Sequence, residues 1–314
     1  MATPGLRHRL EYLGVSSVAA LVRAFPQRVA LAFGTLLGLA FYALDWQHRG
    51  LTLSNLASAF PTRTVGEHRA IARGVFAHFG RLLFELLRFS GLSRDEMLAL
   101  VEFEGEDRVR SALGQGRGAL FVTGHFGFWE IHALAHSLVF PSIAVVARTL
   151  DNPLLDALLE RVRTATGNTV IQRRGGLRRI LRLLAANQGV ALLIDQHIQT
   201  SEAVVVDFFN RPAATTSAVA ALALRTGAPV IPVFAVPLRD GRYRMIYEHA
   251  VPPPDADTPD RVRVFTQRCT DVLEMYVRRY PALWLWMHRR WRDEVQHERT
   301  PGMFPAGARE ELES

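Results

Sequence analysis

From about residue 101 onwards, short runs of apolar residues alternate with longer segments whose apolar residues recur at helical spacing. A short apolar run rich in β-branched residues is typical of a buried strand. Strands that alternate with helices predict an α/β fold, here a central mixed β-sheet flanked by helices. In such a fold the carboxyl ends of the parallel strands form the usual ligand-binding edge.

The spacing predicts eight strands, over 101–103, 119–123, 142–146, 169–171, 190–194, 204–208, 230–234 and 243–247. It predicts helices over 128–138, 153–166, 175–186, 214–225 and 260–279. Residues 51–118 are mostly helical by pattern, and Thr64–Glu67 and Ser93–Glu96 both match a capping box. We divide the chain into an N-terminal hydrophobic helical region (1–50), a main domain (51–299) and a flexible tail (300–314).

One strand-to-helix junction carries a histidine and a carboxylate. His125 follows the strand 119–123, and Glu130 comes five residues later. A neutral imidazole there can take a proton from an alcohol, and a nearby carboxylate can fix its tautomer. Residues five apart on a helix do not face each other, so the pair can meet only if His125 precedes the helix. Gly124 and Gly127 favour such a turn. A satisfied structural pair is the alternative.

Aromatic residues follow His125 directly. Phe126, Phe128 and Trp129 are expected to form an apolar wall of a ligand pocket. His132 and His136 also lie near Glu130, but the metalloprotease order His-Glu-x-x-His is absent, so we expect no metal.

Other polar residues follow neighbouring strands. Arg148 comes after the strand 142–146 and can bind a phosphate group. Asp195 comes after the strand 190–194 and can orient a basic group or an acceptor. Arg173 opens a glycine-rich helix start, which favours an anion site, although a solvated basic face is the alternative.

Residues 29–44 form an uncharged apolar run near the N-terminus. The run is slightly shorter than the roughly 20 residues that span a bilayer core. An uncleaved membrane anchor or an interfacial helix, with Trp46 at the interface, fits better than a signal peptide. A buried core helix is the alternative.

The composition limits the partners. All 37 basic residues are arginine and the net charge is +7. This charge suits an anionic membrane surface, a phosphorylated substrate or an acidic carrier protein. No recognised nucleic-acid-binding motif accompanies it, so nucleic acid is not expected. The single cysteine, Cys269, indicates a reducing compartment and is expected to be structural.

Several segments, in their order and spacing, resemble the late acyltransferases of lipid A biosynthesis (lauroyl and myristoyl transferases). That family lies within the wider glycerolipid acyltransferase superfamily with its His-x4-Asp/Glu motif. The matching segments are the N-terminal hydrophobic helix, 55–61, His125–Glu130, Arg148 with 152–156, Asp195 with Gln196, 208–209 with 213–216, and 288–290.

The resemblance implies a membrane-associated O-acyltransferase with a glycerolipid-acyltransferase-like domain over 51–299. His125 would be the general base on an acceptor hydroxyl, and Glu130 its charge partner. The hydroxyl would attack an acyl thioester without an acyl-enzyme intermediate and without a cofactor. The candidates for substrate binding are Arg148, Asn152, Arg173, Asp195 and Gln196, although Asn152 is also suited to cap a helix.

The resemblance also implies the partners. The donor would be acyl-acyl carrier protein, with acyl-coenzyme A as a possible substitute, and the acceptor a lipid A precursor. The location would be the cytoplasmic face of a bacterial inner membrane. One departure leaves the acceptor open, because residues 196–199 replace a second acid and a glycine that many members carry. A phosphatidylinositol mannoside or a lysophospholipid is the alternative acceptor. A non-catalytic membrane lipid-binding protein and a hydrolase are the other classes.

Overall fold

The computed structural model describes residues 5–173, 175–199, 203–238 and 240–291. Its helices are α1 (Leu6–Ala24), α2 (Gln27–Leu44), α3 (Trp46–Ala59), α4 (Val65–Phe89), α5 (Arg94–Ala99), α6 (Glu106–Leu113), α7 (Trp129–Val139), α8 (Pro153–Thr164), α9 (Leu177–Ala185), α10 (Ala218–Thr226) and α11 (Arg261–Arg279). Its strands are β1 (Val101–Glu104), β2 (Ala119–Thr123), β3 (Ile143–Ala147), β4 (Thr169–Gln172), β5 (Gly189–Leu193), β6 (Ala203–Asp207), β7 (Pro212–Thr216), β8 (Val230–Pro237) and β9 (Tyr243–Tyr247). A 3-10 helix follows at Pro281–Leu283.

The predicted α/β architecture is confirmed. Seven strands form one sheet in the order β1-β9-β8-β2-β5-β3-β4. The sheet is mixed, because β8 and β9 pair antiparallel while the other neighbours pair in parallel. The carboxyl ends of β2, β5, β3 and β4 therefore lie together, and we call this the carboxyl edge. Thr123 of β2 is in register with Leu193 of β5, so the residues that follow these two strands are neighbours.

One predicted element is wrong in part. The helix predicted over 214–225 begins only at Ala218. Residues Pro212–Thr216 instead form β7, which pairs antiparallel with Ala203–Asp207 as a separate two-stranded sheet. Thr215 and Thr216 are β-branched, and a paired, half-buried strand suits them better than a helix. The helical spacing of the alanines concealed this preference.

The two faces of the sheet carry two hydrophobic clusters, as the alternation of side chains along a strand requires. Leu120 and Val122 of β2 belong to the cluster that includes residues of α9, α10 and α11. Phe121 belongs to the other cluster, with residues of α7 and α8. Trp284 and Trp286 are fully buried in the first cluster. The C-terminal aromatic residues are therefore part of the core.

The N-terminal helices pack against α4, which begins with the predicted Thr64–Glu67 capping box. On α2, a Cβ at Gly38 would overlap the backbone carbonyl of Phe76, and a Cβ at Gly80 would overlap that of Gly34. Only glycine allows two helix backbones to approach so closely. The α2 helix is thus fixed to α4 along one face.

Many other side chains of α1 and α2 are apolar and exposed. The large ones are Leu6, Leu10, Leu13, Leu21, Val29, Phe33, Leu36, Leu37, Phe41 and Leu44. Among the described residues, α2 is the one helix long and apolar enough to cross a membrane, with a mean hydropathy of 1.4. The predicted boundary between residues 50 and 51 falls inside α3, and the predicted tail over 300–314 lies outside the described residues.

Candidate active site

The turn between β2 and α7 depends on two glycines. Gly127 has a φ of +56°, and a Cβ there would overlap the backbone carbonyl of Ala235. A Cβ at Gly124 would lie 2.8 Å from Asp195 Oδ2. Both positions therefore require glycine. Because α7 begins only at Trp129, His125 precedes the helix, as the pairing argument required.

The direct partner of His125 is Asp195. His125 Nδ1 lies 2.8 Å from Asp195 Oδ1, and the backbone N–H of His125 donates to Oδ2 at 2.6 Å. Asp195 is 1% exposed and also accepts a hydrogen bond from Trp284 Nε1 at 2.8 Å. The sheet brings the pair together, because β2 and β5 are neighbours and each residue lies two positions beyond its strand.

The charges of the pair support each other. Burial raises the pKa of Asp195. The charge and hydrogen bonds of His125 lower it by a larger amount, so the net pKa is well below the usual range. Burial lowers the pKa of His125, whereas Asp195 and, more weakly, Glu130 raise it, and the net pKa lies above its ordinary value of 6.5. An ionised carboxylate only accepts hydrogen bonds, so the proton of a neutral His125 lies on Nδ1. Its Nε2 is then the basic atom.

Glu130 has a different partner from the one expected. Its carboxylate pairs with Arg163 of α8, at 2.9 Å from Nε and 2.5 Å from Nη2. The carboxylate that fixes the imidazole tautomer is therefore Asp195 and not Glu130, whereas the expected charge effect of Glu130 on His125 is present. Glu130 lies on the first turn of α7, directed toward α8, and it acts on His125 through its charge. A bidentate arginine pair is a strong and specific ion pair.

Three predicted substrate-binding residues lie exposed at the carboxyl edge. The Arg148 side chain is 80% exposed and pairs with Asp151 at 3.3 Å. Arg173 and Gln196 are exposed after β4 and β5. A small polar cleft lies between β3, β4 and α8, and its polar lining residues are Arg148, Thr149, Asp156, Glu160, Arg163 and Gln172. The cleft shares Arg163 with the Glu130 ion pair.

Asn152 is not available to a substrate. Its Oδ1 accepts hydrogen bonds from the backbone N–H groups of Leu154 and Leu155, which makes it the N-cap of α8. Its Nδ2 donates to the backbone carbonyl of His8 and to Glu11 Oε2. All its hydrogen-bonding positions are occupied by protein groups. The capping alternative is correct, and the residue also fastens α1 to α8.

The predicted aromatic wall is wrong for two of its three members. Phe126 and Phe128 are fully buried, in the two core clusters. Only the half-buried Trp129 remains beside the site, with its ring 5.2 Å from that of His125. Gly127 lies between Phe126 and Phe128 with a positive φ, which breaks any strand-like alternation, and the two rings enter different clusters.

Two residues at the site escaped the sequence argument. Arg163 is one of 37 basic residues, and nothing in its sequence position links it to Glu130. Trp284 stands in a C-terminal segment of tryptophans and arginines, a composition that is also typical of a membrane interface. A partial signal existed, since a buried indole N–H needs a hydrogen-bond acceptor.

Three further titratable residues considered from the sequence are not poised for chemistry. Burial lowers the pKa of both His132 and His136 to about 3, so both are neutral. Burial raises the pKa of Cys269 to about 12, which makes it an unreactive thiol. Among the described residues, no group of three or more His, Cys, Asp or Glu side chains could hold a metal ion.

This arrangement can perform general base catalysis. Asp195 holds the imidazole ring from one side, so Nε2 of His125 can accept a proton from an incoming hydroxyl group. The buried carboxylate then stabilises the imidazolium that forms.

Comparison with known proteins agrees with this chemistry. Residues 4–293 match the family model described as bacterial lipid A biosynthesis acyltransferase. A lauroyltransferase of lipid A biosynthesis from Escherichia coli is 28% identical over 294 residues, which cover 91% of this chain and 92% of the relative. A myristoyltransferase of the same pathway and organism is 22% identical, with 94% and 91% covered.

A second kind of relative matches equally well. A phosphatidylinositol mannoside acyltransferase from Mycolicibacterium smegmatis is 27% identical over 297 residues, which cover 91% of this chain and 93% of the relative. The similar proteins thus share acyl transfer and differ in the named lipid.

Proposed function

The chain belongs to the bacterial lipid A biosynthesis acyltransferase family, and we propose that it is a membrane-associated O-acyltransferase that moves a fatty acyl chain from an acyl thioester to a hydroxyl group of a lipid A precursor. The observation that carries the proposal is the hydrogen bond between His125 Nδ1 and the buried Asp195. It leaves Nε2 of the imidazole as a base at the carboxyl edge, where substrates bind in α/β folds.

In the proposed reaction, His125 Nε2 removes the proton of the acceptor hydroxyl while the oxygen attacks the thioester carbonyl carbon. The tetrahedral intermediate then collapses, the carbon–sulfur bond breaks, and the imidazolium returns the proton to the sulfur. The products are an ester and a free thiol. Asp195 remains ionised and stabilises the imidazolium. Glu130, held by Arg163, adds a second negative charge near the imidazole.

The acceptor is proposed to approach along the polar cleft. Arg148 and Gln172 line this cleft, and Arg163 links it to Glu130. An exposed arginine suits the phosphate of a lipid headgroup. Arg173 follows β4 and Gln196 follows β5, the two strands that flank β3. Both residues are proposed as further contacts to the acceptor.

The location is proposed to be the cytoplasmic face of the bacterial inner membrane. The exposed apolar side chains of α1 and α2 support a contact with lipid, with α2 as the anchor and Trp46 at the interface. The proposed donor is acyl-acyl carrier protein, whose acidic surface would complement a chain with a net charge of +7. Acyl-coenzyme A is the other donor to test.

The first experiment is an acyl-transfer assay with purified full-length protein, an acyl thioester on either carrier and a lipid A precursor, followed by mass spectrometry. We expect an acylated lipid and a free thiol in equal amounts. His125→Ala should reduce the rate by at least about 10³-fold. His249→Ala, at an exposed histidine, is the matched control.

The assay also separates the other classes. Full transfer by folded His125→Ala protein would refute the catalytic role of His125. Lipid binding without any transfer would indicate a non-catalytic lipid-binding protein. Release of free fatty acid without acylated lipid would indicate a hydrolase.

A phosphatidylinositol mannoside is the second candidate acceptor, because a relative named for that lipid matches nearly the whole chain. The same assay with both acceptors in competition decides between them. Exclusive acylation of the mannoside would keep the chemistry and replace the acceptor.

A further inference from the structure

Asp195 has a third hydrogen-bond donor besides the two groups of His125. Trp284 Nε1 donates to Oδ2 at 2.8 Å, and Trp284 is 0% exposed. The backbone fixes this residue beside the turn, because Phe126 and Trp284 form an antiparallel bridge and Leu285 N donates to the His125 carbonyl at 3.1 Å. The backbone of Trp284 is therefore held beside the turn that carries His125.

We infer that Trp284 is a positioning residue whose indole N–H sets the basicity of the Asp195 carboxylate and, through it, that of His125. The effect of Trp284 on the rate of acyl transfer rests on the proposed function, whereas its effect on the pKa of His125 does not. A donor that binds an ionised carboxylate stabilises its charge and weakens its attraction for a neighbouring imidazolium. With the donor present, Asp195 raises the pKa of His125 by less than it would without the indole N–H.

The burial of Asp195 strengthens the effect of the indole N–H on the carboxylate. Bulk solvent screens little of a carboxylate that is 1% exposed, and each of its hydrogen bonds is charge-assisted and strong. Oδ1 holds the imidazole, while Oδ2 holds the backbone N–H of His125 and the indole. Loss of the indole N–H leaves Oδ2 with one donor.

Other charged and titratable groups also act on the pair. Glu130 raises and Arg163 lowers the pKa of His125. His288 lies 5.2 Å from the Trp284 ring, and its pKa is lowered by burial. Arg290 is buried and donates to the backbone carbonyl of Ala214 on β7. The test below leaves all four residues in place.

The matched control is the neighbouring Trp286. It is equally buried, its ring lies 4.7 Å from that of Trp284, and its Nε1 donates to the backbone carbonyl of Pro281 instead of a carboxylate. Trp286→Phe therefore removes the same volume and the same N–H group from the same cluster. It changes no donor to Asp195.

The experiment is an NMR titration of histidine-labelled full-length protein without donor or acceptor, with the His125 signal assigned from the His125→Asn variant. We expect Trp284→Phe to raise the pKa of His125 by about 0.5 to 1, and Trp286→Phe to leave it unchanged. An unchanged pKa in Trp284→Phe, or an equal shift in both variants, would overturn the inference.

A second variant covers a failure of Trp284→Phe to fold. Benzothienylalanine at position 284 keeps the shape of the indole and replaces the N–H group by sulfur. The same rise is expected, and the acid limb of the kcat/KM profile should move to higher pH with it. If this isostere leaves the pKa of His125 unchanged, the indole is only a packing element. Absence of acyl transfer would refute the proposed function and leave the titration intact.

Discussion

The buried pair of His125 and Asp195 and the exposed arginines Arg148 and Arg173 occupy the same edge of one sheet, yet the fold determines them very differently. Three hydrogen bonds fix Asp195, and the backbone of the turn fixes His125. Arg148 has one exposed ion pair, with Asp151, and Arg173 is exposed. Exposed ion pairs add little stability because solvent screens them.

The difference assigns different tasks to the two regions. A buried, fully bonded pair has one geometry, which a proton transfer requires. An exposed arginine has many rotamers and gains a fixed geometry only when an anionic group binds. We therefore expect substitutions in the buried pair to change kcat and the pH profile, and substitutions at the exposed arginines to change KM.

Among the substitutions that compare the two regions, the largest effect is expected for Asp195→Asn. The amide carries no charge to stabilise the imidazolium, so kcat/KM should fall by about 10² to 10⁴-fold. Asp151→Asn, at an exposed acid on the same edge, is the control and should change kcat/KM by less than about threefold. Equal losses of kcat/KM in the two variants would contradict the claim that the buried carboxylate has a role that the exposed one lacks.

The same variant has a pH signature with a definite sign. The base must be neutral, so kcat/KM of the unaltered protein should rise with pH through a pKa above 6.5. In Asp195→Asn the charge that raises this pKa is gone, while burial still lowers it, so the residual activity should persist to lower pH. A pH–rate profile of both proteins measures this, and an unchanged acid limb would exclude His125 as the titrating base.

A large effect on stability is expected for Arg163→Ala. The Glu130 and Arg163 side chains are 12% and 16% exposed, and the substitution leaves the carboxylate without its bidentate partner. We expect a loss of about 3 kcal/mol in the free energy of unfolding, measured by chemical denaturation. Arg110→Ala, which breaks an exposed pair with Glu106, should cost under about 0.5 kcal/mol. Similar losses of unfolding free energy in the two variants would show that solvent also screens the Glu130–Arg163 pair.

Arg148→Ala tests the exposed side of the comparison. Loss of one exposed contact to an anionic headgroup should raise KM for the acceptor by about tenfold, equivalent to about 1.4 kcal/mol, with kcat little changed. Steady-state kinetics with the lipid acceptor measure both constants. A fall in kcat at constant KM would place Arg148 in the chemical step instead.

The smallest effect is expected for Asn152→Ala. Loss of the N-cap of α8 should lower the free energy of unfolding by about 1 kcal/mol, while kcat/KM at moderate temperature stays the same. Thermal unfolding and an activity assay on the same preparation test this. A fall in kcat/KM without a change in stability would restore Asn152 as a substrate-binding residue.

The sequence predicted the elements well and the partners poorly. Strand ends carry local signals, so His125 and Asp195 were both placed at the carboxyl edge. Which carboxylate meets His125 depends on strand order, and only the adjacency of β2 and β5 brings Asp195 to it. Glu130 is closer in sequence but begins a helix that directs it to Arg163. The strand Pro212–Thr216 was missed because its pairing partner, not its own pattern, determines it.

One turn of α4 contacts both the α2 helix and the turn that carries His125. Phe76 and Gly80 lie against the glycines of α2, and His78 Nε2 lies 3.2 Å from the backbone carbonyl of Gly127 in the catalytic turn. The turn that carries His125 is therefore separated from α2 by the thickness of one helix, about 10 Å. If α2 lies in the bilayer as proposed, the fold itself sets the depth at which the acceptor hydroxyl meets His125.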